Sequence, residues 1–148
     1  MIITPHMLVG AAIGSQFNNP WSVFILGLFS HYLLDALPHW DYLSDLKIFK
    51  SKHLKKICLD FALGGFFVLI LIWSSPQKLF ILIGIIAALL PDFLSLLYYN
   101  FNIKWLRVLF LIHQEIHYQK RLSFWPGLPF TLIVSLIAVS ILIFGKWG

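Results

Sequence analysis

Residues 30–41, SHYLLDALPHWD, place two histidines and two aspartates within an otherwise strongly apolar sequence. His31 and Asp35 are four residues apart, so they lie on the same face of an α-helix. The proline that follows is expected to end or kink this helix, which can return His39 and Asp41 toward the same place. Neutral imidazole and ionised carboxylate are preferred ligands of zinc, manganese and iron. The stretch therefore predicts one part of a metal site, completed by other segments.

The composition indicates an integral membrane protein. Of the 148 residues, 59% are hydrophobic and only 11% are charged, whereas about 25% of residues are charged in soluble domains. A soluble fold of this size could not bury so much apolar surface. The length predicts a single membrane-embedded domain, residues 1–148. We expect no nucleic-acid partner, because the lysines behind the net charge of +5 lie beside apolar segments.

Apolar stretches separated by turn-forming residues predict an all-α membrane bundle with about four to five membrane helices and one amphipathic interfacial helix. The expected helices of the bundle cover residues 4–16, 21–37, 53–73, 78–99 and 128–144, and the amphipathic helix covers residues 104–119. The first of them, about 18 Å long, is too short to cross a bilayer alone. Pro91 is expected to interrupt the fourth helix. The Trp-Pro-Gly sequence at 125–127 is expected to separate the amphipathic helix from the last one.

The basic residues predict the orientation. Nine of the eleven lie in two segments: Lys47, Lys50, Lys52, Lys55, Lys56, Lys104, Arg107, Lys120 and Arg121. Lysine and arginine are enriched in cytoplasmic loops, so we expect an inner-membrane protein with a cytoplasmic N-terminus and an external C-terminus. This topology brings the histidines and aspartates at the helix ends to one depth near the cytoplasmic face.

Carboxylates within apolar helices supply further candidate ligands. Asp35, Asp60 and Asp92 each interrupt such a helix, and a carboxylate there usually faces a partner inside the bundle. With histidines as the available partners, a metal is expected to supply the positive charge. The predicted metal ligands are His6, His31, Asp35, His39, Asp60, Asp92, His113 and His117. The predicted catalytic residues are Asp35, His39 and Asp41.

Structural roles remain open for these residues. His6 could cap the first helix, and Asp60 could satisfy the backbone of a neighbouring helix. His31 and Asp35 could be a buried hydrogen-bonded pair that only joins helices. Asp92 could cap a broken half-helix, and Asp41 could be a solvated loop acid or orient a histidine. The histidine pair at 113 and 117 has the spacing of paired ligands on a helix, but it would also fit a polar surface strip.

The number of candidates exceeds what one zinc ion needs. Two divalent cations bridged by a carboxylate would use seven or eight ligands, and Asp35 is the natural bridge because it sits in the densest cluster. Such sites typically activate water against a phosphoester. Zinc is the first expectation, with manganese and iron as alternatives.

Three short motifs resemble those of a family of small membrane-bound metal-dependent hydrolases. They are Thr4-Pro5-His6-x-x-x-Gly10, His31-x-x-x-Asp35 and Leu90-Pro91-Asp92. That family is similar by motif to the zinc-dependent phospholipase C group, where an HxxxD helix supplies a histidine to one metal and an aspartate that bridges two. The resemblance implies these roles for His31 and Asp35. The Pro-Asp-x-Asp-His and Arg-Gly-x-Thr-His-Ser strings of the family do not occur here.

These observations predict a phosphoesterase that acts on phosphate-bearing lipids, either phospholipid head groups or polyprenyl phosphates, at the cytoplasmic face. One alternative is a di-iron membrane oxidase or desaturase, indicated by the HxxxH spacing of His113 and His117. Another is a metal transporter or a bundle that a metal merely stabilises, although a transporter would place its ligands near the bilayer midplane.

Overall fold

The computed structural model describes residues 2–41, 51–118 and 122–145, and these ranges form six α-helices. The helices are α1 (Ile3–Gln16), α2 (Pro20–Ala36), α3 (Ser51–Leu71), α4 (Lys78–Phe101), α5 (Arg107–Ile116) and α6 (Phe124–Phe144). A 3-10 turn, Lys104–Leu106, precedes α5. The described ranges contain no β-strand, only an isolated bridge between Trp40 and Leu122. The predicted all-α fold is confirmed.

The ends of α2 follow from its sequence. The side chain of Asn19 accepts hydrogen bonds from the N–H groups of Trp21 and Ser22, and Pro20 occupies the first helical position. The helix ends at Ala36, because the residue before a proline is disfavoured in the helical conformation and Leu37 is extended. The segment that carries His39 therefore turns away from the helix axis, as the sequence predicts.

Two prolines that were predicted to interrupt or separate helices lie inside helices instead. The predicted interruption at Pro91 is wrong, because α4 continues through it to Phe101. A proline removes one backbone hydrogen bond, and packing of α4 against α1 and α2 offsets this loss. The predicted break at residues 125–127 is also wrong. These residues form the first turn of α6, where Pro126 forfeits no intrahelical bond.

Helix α1 is the centre of the bundle and contacts α2, α3, α4 and α6. Its closest approach is to α4, at small residues: a Cβ atom added to Gly84 would collide with the carbonyl oxygen of Gly10. Around this contact lies a core formed by Met7, Leu8, Ala11, Ala12, Val68, Ile81, Ala138 and Leu142. The short distance between α1 and α4 brings the N-terminal end of α1 close to the C-terminal half of α4.

Two helices, α4 with 24 residues and α6 with 21, are long and apolar enough to cross a membrane. A membrane helix needs about 20 apolar residues. Helices α1 and α2 are shorter, with 14 and 17 residues. Helix α3 has 21 residues but carries three lysines and Asp60 in its first half. Only two of the four to five predicted spans therefore meet these criteria.

Candidate metal centre

Four side chains from three helices converge at one end of the bundle. His31 and Asp35 extend from α2, Asp92 from α4 and His113 from α5, and we call these four residues the inner group. Asp35 Oδ2 lies 3.2 Å from His31 Nε2 and 2.9 Å from His113 Nε2. The side chains of His31 and Asp35 are fully buried, whereas that of Asp92 is partly exposed. The inner group thus opens toward the surface at Asp92.

The backbone of α4 fixes the tautomer of His31. Its Nδ1–H donates a 2.6 Å hydrogen bond to the carbonyl oxygen of Ala88, so the neutral ring carries its lone pair on Nε2. That lone pair faces carboxylate oxygens of Asp35 and Asp92, at 3.2 and 3.8 Å. Electron-rich atoms that converge in a buried place repel one another unless a cation or a proton lies between them.

The geometry of the inner group fits a tetrahedral metal ion. Five separations between its ligand atoms range from 2.9 to 3.8 Å. Zinc binds nitrogen and oxygen at about 2.0–2.2 Å, which places tetrahedral ligand atoms about 3.3–3.6 Å apart. Two imidazoles and two carboxylates also match the ligand preferences of zinc, manganese and iron. The inner group can therefore hold one divalent cation.

A second group of possible ligands shares Asp35 with the first. A ring nitrogen of His39, a ring nitrogen of His117 and a carboxylate oxygen of Asp35 all lie within 4.8 Å of one another. We call these three residues the outer group. The Nδ1–H of His39 donates to the carbonyl of Leu37 at 2.7 Å, which leaves Nε2 as the ligand atom. Burial lowers the pKa of His39 to about 4 and also lowers the pKa of His117, so both rings are neutral at pH 7.

The two histidines of the outer group lie on two segments that pair beyond the helices. The backbone N–H of Tyr118 donates to the carbonyl of Asp35 at 2.7 Å, and Trp40 bridges to Leu122. This pairing brings the His39 and His117 rings to a centroid distance of 4.8 Å. Helices thus position the inner group, whereas paired segments beyond the helices position the two histidines of the outer group.

His6 is fully buried beside Asp35. Its Nε2 lies 3.2 Å from Asp35 Oδ1, and its ring stacks on that of His31 with a centroid distance of 4.4 Å. Its Nδ1 has no hydrogen-bond partner within the described ranges. The two oxygens of Asp35 consequently face different histidines, Oδ1 toward His6 and Oδ2 toward the inner group.

Comparison with protein-family models, curated proteins and solved structures found no match. The resemblance to membrane-bound hydrolases stays an expectation from short motifs. Any assignment of function must therefore come from the geometry of the site.

Three predicted site residues lie outside both groups: His6, which contacts Asp35 but is not one of the grouped ligands, Asp60 and Asp41. Asp60 caps α1: its carboxylate accepts hydrogen bonds from the N–H groups of Ile3 at 2.6 Å and Thr4 at 3.2 Å, and from the Thr4 hydroxyl at 2.6 Å. This is the structural alternative that the sequence left open, and the carboxylate satisfies otherwise unpaired N–H groups at a helix N-terminus. Asp41 is exposed and belongs to neither group.

Two groups that contact the Nδ1 atoms of the inner-group histidines do not appear among the predicted residues. One is the Ala88 carbonyl, which no sequence pattern identifies. The other is Ser95, whose hydroxyl oxygen lies 2.7 Å from His113 Nδ1. Ser95 follows Asp92 by three residues and therefore shares its helix face, which is the only sequence signal that could have indicated it.

Proposed function

We propose that this protein is a membrane-bound hydrolase that uses two divalent cations, with zinc the first candidate, to cleave phosphate esters of lipids. The observation that carries the proposal is the position of Asp35, a buried carboxylate common to the inner and outer groups. A carboxylate with two oxygens can contact two cations at once. When bound, such a pair of ions supplies an activated water and stabilises the charge of the departing oxygen.

The two groups differ in the number of coordination positions that they leave free for water or substrate. The inner group offers four ligand atoms, which complete a tetrahedral shell. The outer group offers three, the number typical of sites that also bind water or substrate. His39 and His117, on paired loops at the end of the bundle, are therefore the residues that we expect closest to the substrate. Asp41 is no longer part of this proposed machinery, because it is exposed and outside both groups.

The surface around the site supports a membrane location. Large apolar side chains are exposed on α2 and α3, including Phe29, Leu33, Leu59 and Phe66. Exposed apolar area costs about 25 cal/mol per Å² in water, whereas lipid would cover it without this cost. We therefore propose that α1, α2 and α3 also lie in the membrane, beside the two long helices. Exposed tryptophans at both ends of the bundle fit the two interfaces: Trp21, Trp73, Trp105 and Trp125.

The substrate class follows from charge and position. Lys55 and Lys56 lie near the start of α3, and Lys104 and Arg107 lie just before or at the start of α5, whose His113 belongs to the inner group. Basic residues at a membrane surface attract anionic head groups. Because lysine and arginine are enriched in cytoplasmic loops, the same residues support the proposal that this end of the bundle faces the cytoplasm. A phosphate-bearing lipid of the inner leaflet is the simplest ligand for such a site.

The test measures metal content and phosphate release on purified protein in detergent. We expect the wild-type chain to hold about two zinc ions per chain and to release phosphate from lipid phosphates. Asp35→Asn should lose both ions, and its turnover should fall at least 10²-fold, because both groups lose their common carboxylate. Glu115→Gln, which alters an exposed carboxylate of α5 outside both groups, is the control and should keep both properties.

Equal turnover in the wild-type protein and Asp35→Asn would remove the hydrolase proposal. Bound iron with absorption in the visible range would favour an oxidase instead.

A further inference from the structure

Ser95 and His113 form a buried pair at the edge of the inner group. The Ser95 hydroxyl oxygen lies 2.7 Å from His113 Nδ1, and the two residues are only 4% and 3% exposed. On the other side of the imidazole, His113 Nε2 lies 2.9 Å from Asp35 Oδ2 and 3.3 Å from His31 Nε2. The ring therefore stands between the serine and the other ligands.

Two proton arrangements fit these distances. In the first, the Ser95 hydroxyl donates to Nδ1 and the ring donates from Nε2 to Asp35, which gives the connectivity of a Ser–His–Asp triad. In the second, Nδ1–H donates to the Ser95 oxygen and the Nε2 lone pair points at Asp35 and His31. A serine hydroxyl can donate or accept, so it is compatible with both.

The arrangement of the cluster favours the second as the functional state. A molecule that reaches Asp35 and His31 meets the Nε2 edge of His113, whereas the Ser95 hydroxyl is buried behind the ring. The neighbouring histidine already has the corresponding tautomer, since the Ala88 carbonyl can only accept the proton of His31 Nδ1. Metal-bound histidines generally donate their second N–H to an oxygen atom in this way.

We propose that Ser95 is a positioning residue of the metal centre: it accepts the Nδ1–H of His113 and thereby holds Nε2 as a metal ligand. The inference rests on the proposed metal centre and adds to it the residue that orients one ligand. Ser95 contacts neither the substrate nor the ion.

The experiment measures zinc affinity of the full-length protein in detergent by competition with a chromophoric chelator. Ser95→Ala should weaken binding of the zinc ion at the inner group about 10- to 100-fold. Ser95→Thr retains a hydroxyl and should restore the affinity to within a few-fold. Ser15→Ala is the control, because Ser15 is an equally buried serine in α1 that donates to the Ala12 carbonyl and belongs to neither group.

A second measurement separates orientation from general stability. Thermal unfolding of the metal-free proteins should show similar midpoints for Ser95→Ala and Ser15→Ala, although only the former loses zinc affinity. Nitrogen NMR of histidine-labelled, zinc-loaded protein should show His113 protonated at Nδ1.

Three outcomes would overturn the inference. If wild type and Ser95→Ala bind zinc equally, the metal centre stands and the role of Ser95 falls. If the wild-type protein binds no zinc or other divalent cation, the proposed function itself fails. If a fluorophosphonate probe labels the wild type but not Ser95→Ala, Ser95 is a nucleophile and the triad arrangement is the functional one.

Discussion

Asp60 and Asp92 are both carboxylates within helices, but their surroundings give them different roles. Asp60 accepts hydrogen bonds at the start of α1, whereas Asp92 lies 3.6 Å from His113 Nε2. We expect Asp60→Ala to lower the stability of the metal-free protein by about 1–2 kcal/mol, the usual cost of a lost helix cap, without changing its zinc stoichiometry. Asp92→Ala should weaken zinc binding instead. Thermal unfolding and metal analysis of both variants check this, and equal loss of zinc in the two would restore Asp60 as a ligand.

At the scale of single residues, the sequence shows which side chains could bind a metal better than it shows what each of them contacts. His31 and Asp35 could be paired because their spacing alone places them on one helix face. The sequence left Asp60 open between metal ligation and a role at the backbone of a neighbouring helix. It could not decide, because the partners of Asp60 at Ile3 and Thr4 are more than fifty residues away and are backbone groups common to every helix start. Ser95 was missed for a related reason, since a single hydroxyl in an apolar helix has many possible uses.

At the scale of helices, the contact between α1 and α4 controls where His6 lies. Gly84→Ala should destabilise the protein by about 1–3 kcal/mol, because its Cβ would collide with the Gly10 backbone and force the helices apart. Gly65→Ala on α3 is the control: its Cβ would meet only Met7 Cε at 4.0 Å, so the gain in helix propensity should leave stability unchanged or raised. Unfolding midpoints measure the difference, and equal effects of the two substitutions would contradict the close packing.

Two of the predicted helix boundaries are wrong, and the reason lies in how each helix accommodates a proline. Both errors involve prolines, which were expected to break the helices. Pro91 stays within α4 because neighbouring helices support it, and Pro126 begins α6 because a first turn needs no N–H from it. A proline lacks one backbone N–H donor, and both its position in the helix and the packing around it decide whether the helix ends there.

At the scale of the whole molecule, the sequence predicts that distant groups share one end of the bundle, and the described ranges agree. His6, Asp35, Asp92 and His113 belong to four different helices, yet all lie within one cluster. The prediction succeeded because alternating helix directions fix which ends meet. It could not distinguish the inner from the outer group, since the pairing of Tyr118 with Asp35 that brings His117 near His39 has no sequence pattern.

The proposed membrane arrangement can be tested through the accessibility of the two ends of the bundle. Cys58 is the only cysteine, so a Cys58→Ala chain accepts new labels at Asn18→Cys, in the exposed turn between α1 and α2, or at Glu115→Cys on α5. Suppose that α1 and α2 cross the membrane and that the metal centre faces the cytoplasm. An impermeant maleimide should then label position 18 only in right-side-out bacterial vesicles, and position 115 only in inside-out vesicles. Neither substitution alters a lysine or arginine, so the charges that set the orientation stay intact. Labelling of both positions from the same side would show that the short helices do not cross, and would leave α4 and α6 as the only membrane spans among the described helices.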